Sequence, residues 1–177
     1  MNTLIVNLFG APGAGKSTTR AGVFNLLKLQ RYNVEEVYEV AKYLTWQGRY
    51  AELACQPYVF GKQLRDTERL IGKVSAIITD SPIALSALYN GMHKEVKYSE
   101  LFENFVIDHF KKMNNCNFFI NRVKSYNPNG RNQTEEDSNV IAYIMKNFLE
   151  RNEIEYIEVD GDENAALKIS NIVREMI

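Results

Sequence analysis

Eight residues near the start of the chain, Gly10-Ala11-Pro12-Gly13-Ala14-Gly15-Lys16-Ser17, constrain what it can fold into more than any other stretch. They follow the pattern G-x-x-x-x-G-K-[ST], a loop that closes around a phosphate chain. The flanks agree: Thr3 to Phe9 is a short apolar run rich in Leu, Ile and Val, as a buried parallel strand is, and Lys16 to Gln30 reads as a helix. Glycines at 10, 13 and 15 allow backbone conformations closed to other residues, so successive N–H groups turn inward on an anion. The helix behind them points its N-terminus at the same spot, adding unpaired donors and a partial positive charge. In this arrangement Lys16 reaches the β- and γ-phosphates, the Ser17 hydroxyl ligates Mg²⁺, and Gly10, Ala11, Pro12, Gly13, Ala14, Gly15 and Thr18 complete the nucleotide cradle. The ligand class is ATP or GTP, with ATP and Mg²⁺ expected.

The 177 residues suit one domain spanning 1–177, and 45% hydrophobic with 24% charged residues builds and solubilises a full core. The net charge of −1 carries no global excess of the kind that marks a protein devoted to nucleic acid, although a local basic patch fits within it. Cys55 and Cys116 have no metal-ligand spacing, and such an apolar chain needs no disulfide staple, so a reducing cytoplasm is the expected home. The N-terminal apolar run leads directly into the loop rather than reading as a signal peptide, and nothing approaches the roughly 20 apolar residues of a membrane span.

Further along, Val34 to Tyr38 reads as a second strand ended by Glu39. A helix is expected from about Ala41 to Leu53, and another from Pro57 toward Gly72. Ser75 to Asp80 is an apolar third strand ending in a carboxylate, and Pro82 opens a short helix up to Asn90-Gly91. Ser99 caps an amphipathic helix carrying Phe102, Phe105, Val106, Phe110 and Met113, with His109 on the same stripe; core packing is the reading for that histidine. Asn117 to Asn121 is strand four. Residues 122–133 are polar, basic and turn-prone, a mobile surface segment around Asn127-Pro128-Asn129-Gly130. Thr134 and Asp137 start the next helix as a near capping box, Tyr156 to Val159 is strand five, and Asp162 caps the last helix. Strands alternating with helices imply a three-layer α/β fold with a five-stranded parallel sheet in order 2-3-1-4-5. Such a sheet binds ligands beyond the carboxyl ends of its strands, where Gly10, Glu39, Asp80 and Arg122 all fall.

Asp80, after Ile77-Ile78-Thr79, resembles the Walker B acid that holds Mg²⁺ directly or through water, and it is also placed to start a helix. Glu39 stands where a carboxylate would face a second substrate beside the γ-phosphate and accept the proton of an attacking hydroxyl. A solvated strand-end acid, like Glu35 and Glu36, is the other reading of that position, and either Glu39 or Asp80 fits the base. The aromatics Tyr43, Trp46, Tyr50, Tyr58 and Phe60 follow Glu39; core packing accounts for most, and Trp46 is the one to stack on a planar acceptor.

The run Tyr38-Glu39-Val40-Ala41-Lys42 with Trp46 resembles the strand-two signature of deoxynucleoside kinases, and Gln63 and Arg69 fall in similar order on the helix before strand three. The chain is similar, too, to small P-loop kinases related to ribosylnicotinamide kinases and to nucleoside and nucleotide kinases of bacteria and their viruses. The resemblance implies a P-loop NTPase fold, Glu39 as base for a sugar hydroxyl, and Trp46, Gln63, Arg69 and Lys124 near the acceptor. It also implies a lid at about 122–133 that brings Arg122, Lys124 and Arg131 over the phosphoryl group, and a chain that pairs as a homodimer. One departure stands out: the family carries Glu-Arg-Ser after strand three, and this chain has Asp80-Ser81-Pro82.

Three functions fit these residues. The first is transfer of the γ-phosphate to a hydroxyl or phosphate of a nucleoside-like or nucleotide-like small molecule. The second keeps the chemistry but takes as acceptor a hydroxymethylated pyrimidine in DNA, as in some viral kinases of similar build. The third is a P-loop ATPase or switch acting on a partner.

Overall fold

The computed structural model of the protein describes residues 2–92, 98–125 and 134–177. In chain order its elements are β1 (Leu4–Phe9), α1 (Lys16–Leu29), β2 (Val34–Val37), α2 (Val40–Trp46), α3 (Tyr50–Ala54) and α4 (Gln56–Glu68). They continue with β3 (Ala76–Thr79), α5 (Leu85–Met92), α6 (Glu100–Lys111), β4 (Asn115–Asn121), α7 (Glu135–Arg151), β5 (Ile157–Asp160) and α8 (Ala165–Arg174). The five strands form one parallel sheet in the order β2-β3-β1-β4-β5, the P-loop NTPase order expected above.

Every residue of β1 is buried because both faces of the sheet are covered by helices. Leu4, Val6 and Leu8 face a core shared with Val23 and Leu27 of α1 and Ile169 and Val173 of α8. Phe9 turns to the opposite core, with Leu88 of α5, Phe110 of α6 and Met145 of α7. β1 has β3 on one side and β4 on the other, and the chain crosses from one side of it to the other between β3 and β4, so a crevice opens at the carboxyl end of β1, where the glycine-rich loop begins.

Four local expectations change. The single helix from Ala41 to Leu53 is two, because Gly48 at φ 66° closes α2 with Arg49 N–H bonded to Leu44 O at 2.9 Å and Gly48 N–H to Thr45 O at 3.1 Å. That is a Schellman stop, and it turns the chain before α3. β4 starts two residues earlier than its apolar run, at Asn115, because buried Asn7 Nδ2 donates to Asn115 Oδ1 at 2.8 Å and Asn117 Oδ1 at 3.0 Å. Polar partners hid that part of the strand. After Pro82 a turn precedes the helix, which begins at Leu85. Asp162 Oδ1 accepts from Asn164 N–H at 2.9 Å, one step ahead of α8 rather than as its cap.

The capping box holds as read. Thr134 Oγ1 accepts from Asp137 N–H at 3.1 Å, and Asp137 Oδ2 accepts from Thr134 N–H at 2.9 Å. Among the described residues, no helix is long and apolar enough to cross a membrane.

Candidate active site

The glycine-rich loop is locked from three sides. Gly10, at φ 143°, lies so near β4 that a Cβ there would come within 2.7 Å of Ile120 O. From α7, the buried Ser138 hydroxyl donates to Pro12 O at 2.7 Å, and Gly10 N–H points at Met145 Sδ at 3.3 Å. After β5, Gly161 N–H donates to Asn121 O at 2.8 Å, and a Cβ on Gly161 would strike the Ala14 carbonyl oxygen. Gly15 caps α1 in the left-handed conformation, and the first turn of that helix carries no acid to compete with an anion at its N-terminus. Lys16 Nζ arches over the loop, donating to Gly10 O at 2.6 Å and Ala11 O at 3.2 Å. The cradle therefore fits a phosphate chain in shape and in charge.

At the end of β3, Asp80 is 3% exposed. Its Oδ1 lies 3.4 Å from Arg20 Nε, while Arg20 Nη1 lies 3.5 Å from Glu36 Oε1 and the guanidinium sits 4.2 Å from the Tyr38 ring centre. Asp80 Oδ1 is buried without a hydrogen-bond partner. Magnesium is held through one or two hard oxygen ligands together with phosphate oxygens and water, so the Ser17 hydroxyl and Asp80 fit that ion. Among the described residues no group of three or more His, Cys, Asp or Glu could hold a metal ion. Arg20 was not among the residues singled out by motif. Its position four residues after Lys16, on the same helical face, was the available signal.

One cleft of about 860 Å³ runs from Lys16, Ser17 and Thr18 past Glu39 to Gln56 on α4 and Tyr89 on α5. Glu39 has its pKa raised, first by burial and then by the nearby charge of Asp80, against the pull of Lys16, Lys42 and Arg20. Burial, with a contribution from Glu39, pushes the Tyr89 phenol up to about 12. Gln63 brackets the acid: Nε2 donates to Tyr38 O at 3.1 Å and Oε1 accepts from Val40 N–H at 3.1 Å. Its amide is spent on holding the backbone either side of Glu39. Gln56 is the missed residue in this half. It is 3% exposed, its Nε2 donates to Leu53 O at 3.2 Å, and its Oε1 is buried with no partner in the cleft wall. A lone Gln beside a proline carries no motif, so only the tertiary structure reveals it.

The other expected residues are less concentrated. Trp46 lines the cleft at its mouth, 74% exposed. Arg69 follows the last turn of α4, exposed and bonded through Nε to Asp66 O at 3.2 Å, and is not among the cleft-lining residues. The reason is direction: α4 passes Gln63 at the carboxyl end of β2 and then runs back toward the start of β3, carrying Arg69 away. Arg122 joins the two ends of the segment between β4 and α7, with Nη1 to Glu135 Oε1 at 2.6 Å and Nη2 to Asn139 Oδ1 at 2.7 Å. Lys124 is exposed outside the cleft lining, and its carbonyl accepts from Arg122 at 3.4 Å. Arg131 and the Asn127–Gly130 turn lie outside the described residues. His109 packs against Phe60 and Phe105 and pairs with Glu68 at 3.3 Å, well apart from the cleft lining.

Comparison with known proteins places the chain by family and by fold. Residues 5–165 match the family model described as an AAA domain. No curated protein sequence matches the chain. Among solved structures, deoxyadenosine kinase from M. mycoides, determined with bound dATP, aligns with a TM-score of 0.53 at 18% identity, over 97% of this chain and 98% of its own. At that identity the likeness is one of fold, and it covers both halves of the cleft.

Proposed function

We propose, from the premise that the chain belongs to the AAA domain family, that it is an ATP-dependent phosphotransferase acting on the hydroxyl of a nucleoside-like acceptor. The observation that carries this reading is the single cleft: the phosphate cradle at Lys16 and Ser17 and the carboxylate of Glu39 open into one space. A carboxylate with raised pKa is matched to taking a proton near neutral pH. It would also repel a phosphate acceptor, which favours a hydroxyl. The likeness of fold to a deoxyadenosine kinase supports an acceptor of nucleoside type.

In the reaction, Glu39 takes the proton of the acceptor hydroxyl as its oxygen attacks the γ-phosphorus. The bond from that phosphorus to the bridging β–γ oxygen breaks, and ADP leaves. Lys16 and the N-terminus of α1 offset the charge on the phosphoryl oxygens, with Arg122 and Arg131 as the further cations of the lid segment. Ser17 and Asp80 would hold Mg²⁺, which would supply positive charge against the phosphates. Gln63 keeps the Glu39 backbone in place, and Gln56 Oε1 offers an acceptor to an N–H of the substrate base. The test is a screen of nucleosides, nucleotides, nicotinamide riboside and hydroxymethylated DNA with ATP labelled in its γ-phosphate. Label on a nucleoside hydroxyl is expected, and label on no acceptor sinks the reading.

A modified pyrimidine in DNA is the second acceptor, favoured by the exposed aromatics Tyr43, Trp46 and Tyr50 around α2 and α3, since bases stack on such rings. Retention on DNA that weakens steeply with salt would support it, and no retention at low salt removes it. Fast hydrolysis of ATP in buffer alone would instead point to a switch acting on a partner.

A further inference from the structure

Arg20 is buried, and it stands between the two strand ends that carry the acids. It arises one helical turn after Lys16, so the helix whose N-terminus receives the phosphates also carries this guanidinium to the interior. Its Nε faces Asp80 at the end of β3 and its Nη1 faces Glu36 on β2, with the Tyr38 ring against its plane. The Tyr38 hydroxyl in turn donates to Glu36 Oε2 at 3.3 Å. We propose that Arg20 is a positioning residue that fixes Asp80 for the metal and locks the end of β2, and with it Glu39, in register with β3.

Two features support this role. A buried carboxylate needs a compensating positive charge, and Arg20 is the basic partner paired with Asp80. Yet at 3.4 Å and without hydrogen-bond geometry, the guanidinium balances the charge of Asp80 Oδ1 while leaving its lone pairs unused, as a cation ligand requires. The second feature is the three-way span. β2 and β3 pair through Glu36↔Ile78 and Val37↔Thr79, and Arg20 ties α1 to Glu36 within that ladder and to Tyr38 and Asp80 one residue beyond its last pair, with Tyr38 next to Glu39. Lysine replaces it only in part, since a single ammonium cannot face two carboxylates and stack on a ring at once.

The inference rests on Asp80 serving the metal, as the proposed function has it, so it is tested on nucleotide binding instead of transfer. Binding of adenylyl imidodiphosphate is titrated calorimetrically at a series of Mg²⁺ concentrations. Arg20→Leu is expected to raise the Mg²⁺ concentration for half-maximal binding by about 10- to 100-fold, the cost of losing the partner that orients a metal ligand. Binding without Mg²⁺ should stay unchanged. Arg20→Lys should recover part of that loss. Tyr38→Leu, at a half-exposed residue outside the cleft lining, should raise the requirement about two- to fivefold through loss of the cation–π contact. Wild-type Mg²⁺ dependence in Arg20→Leu overturns the proposal. If that variant does not fold, wild-type dependence in both Arg20→Lys and Tyr38→Leu overturns it. Wild-type binding that ignores Mg²⁺ removes the premise as well. Failure of the kinase reading shows separately, as Mg²⁺-dependent analogue binding with no transfer to any acceptor.

Discussion

Glu39, the proposed base, illustrates how burying one carboxylate costs the fold. Burial is the largest cause of its raised pKa, with Asp80 adding to it. Because the folded-state pKa lies above the ordinary value, the protonated acid is the form the fold favours. Its stabilising contribution is complete below the ordinary pKa of 4.5 and is lost as pH rises through the raised value. If Glu39 is the base, turnover has the opposite sign, since a base works ionised: activity is expected to fall as pH drops through that same raised pKa. Glu39→Gln should therefore keep ATP binding, lose turnover by about 10²- to 10⁴-fold, and gain stability at neutral pH that disappears below pH 4.5. Rates and chemical denaturation across pH check both signs together. Transfer at the wild-type rate would move the base to Asp80. Gln56 calls for a different readout. If its Oε1 accepts from the substrate base, Gln56→Leu should raise KM for the acceptor up to about tenfold and leave KM for ATP alone, as loss of one hydrogen bond allows.

Elements matter here through how they brace one loop. β4, α7 and the turn after β5 each touch the glycine-rich loop from a different direction. Gly161→Ala should thus abolish nucleotide binding although it lies about 150 residues from the motif, because its Cβ would push Ala14 out of the cradle. Nucleotide-analogue titration decides this, and wild-type affinity would show that the loop can shift to accommodate a methyl. The start of α7 is pinned by the Thr134 and Asp137 pair and, through Arg122, to the end of β4. Thr134→Ala should cost about 1 kcal/mol in urea unfolding, the usual worth of such a cap.

At the scale of the whole molecule, the cleft is a consequence of topology: β1 lies at the switch between β3 and β4, and α1, α2, α4 and α5 converge above it. A ligand that bridges so many elements should stabilise all of them. MgATP at about 100 times its Kd should add ~2.7 kcal/mol and shift Tm by about 5–10 °C. Lys16→Ala, which removes the cation over the loop, should erase most of that shift, and a full shift in the variant would deny Lys16 its phosphate contact.

The nucleotide cradle, the five parallel strands and the positions of Glu39 and Asp80 were decided by the chain itself. Glycine spacing and strand hydrophobicity act over a few residues, and physics that local is written in sequence order. Tertiary structure decided the rest. Arg69 was carried off by the direction of α4, Gln63 turned from a contact residue into a brace, and Gln56 and Arg20 entered the site through burial among residues distant in the chain. A motif fixes where a backbone turns around phosphate. Which polar atoms end up buried and unpaired depends on how helices pack across the sheet, and only the assembled fold contains that information.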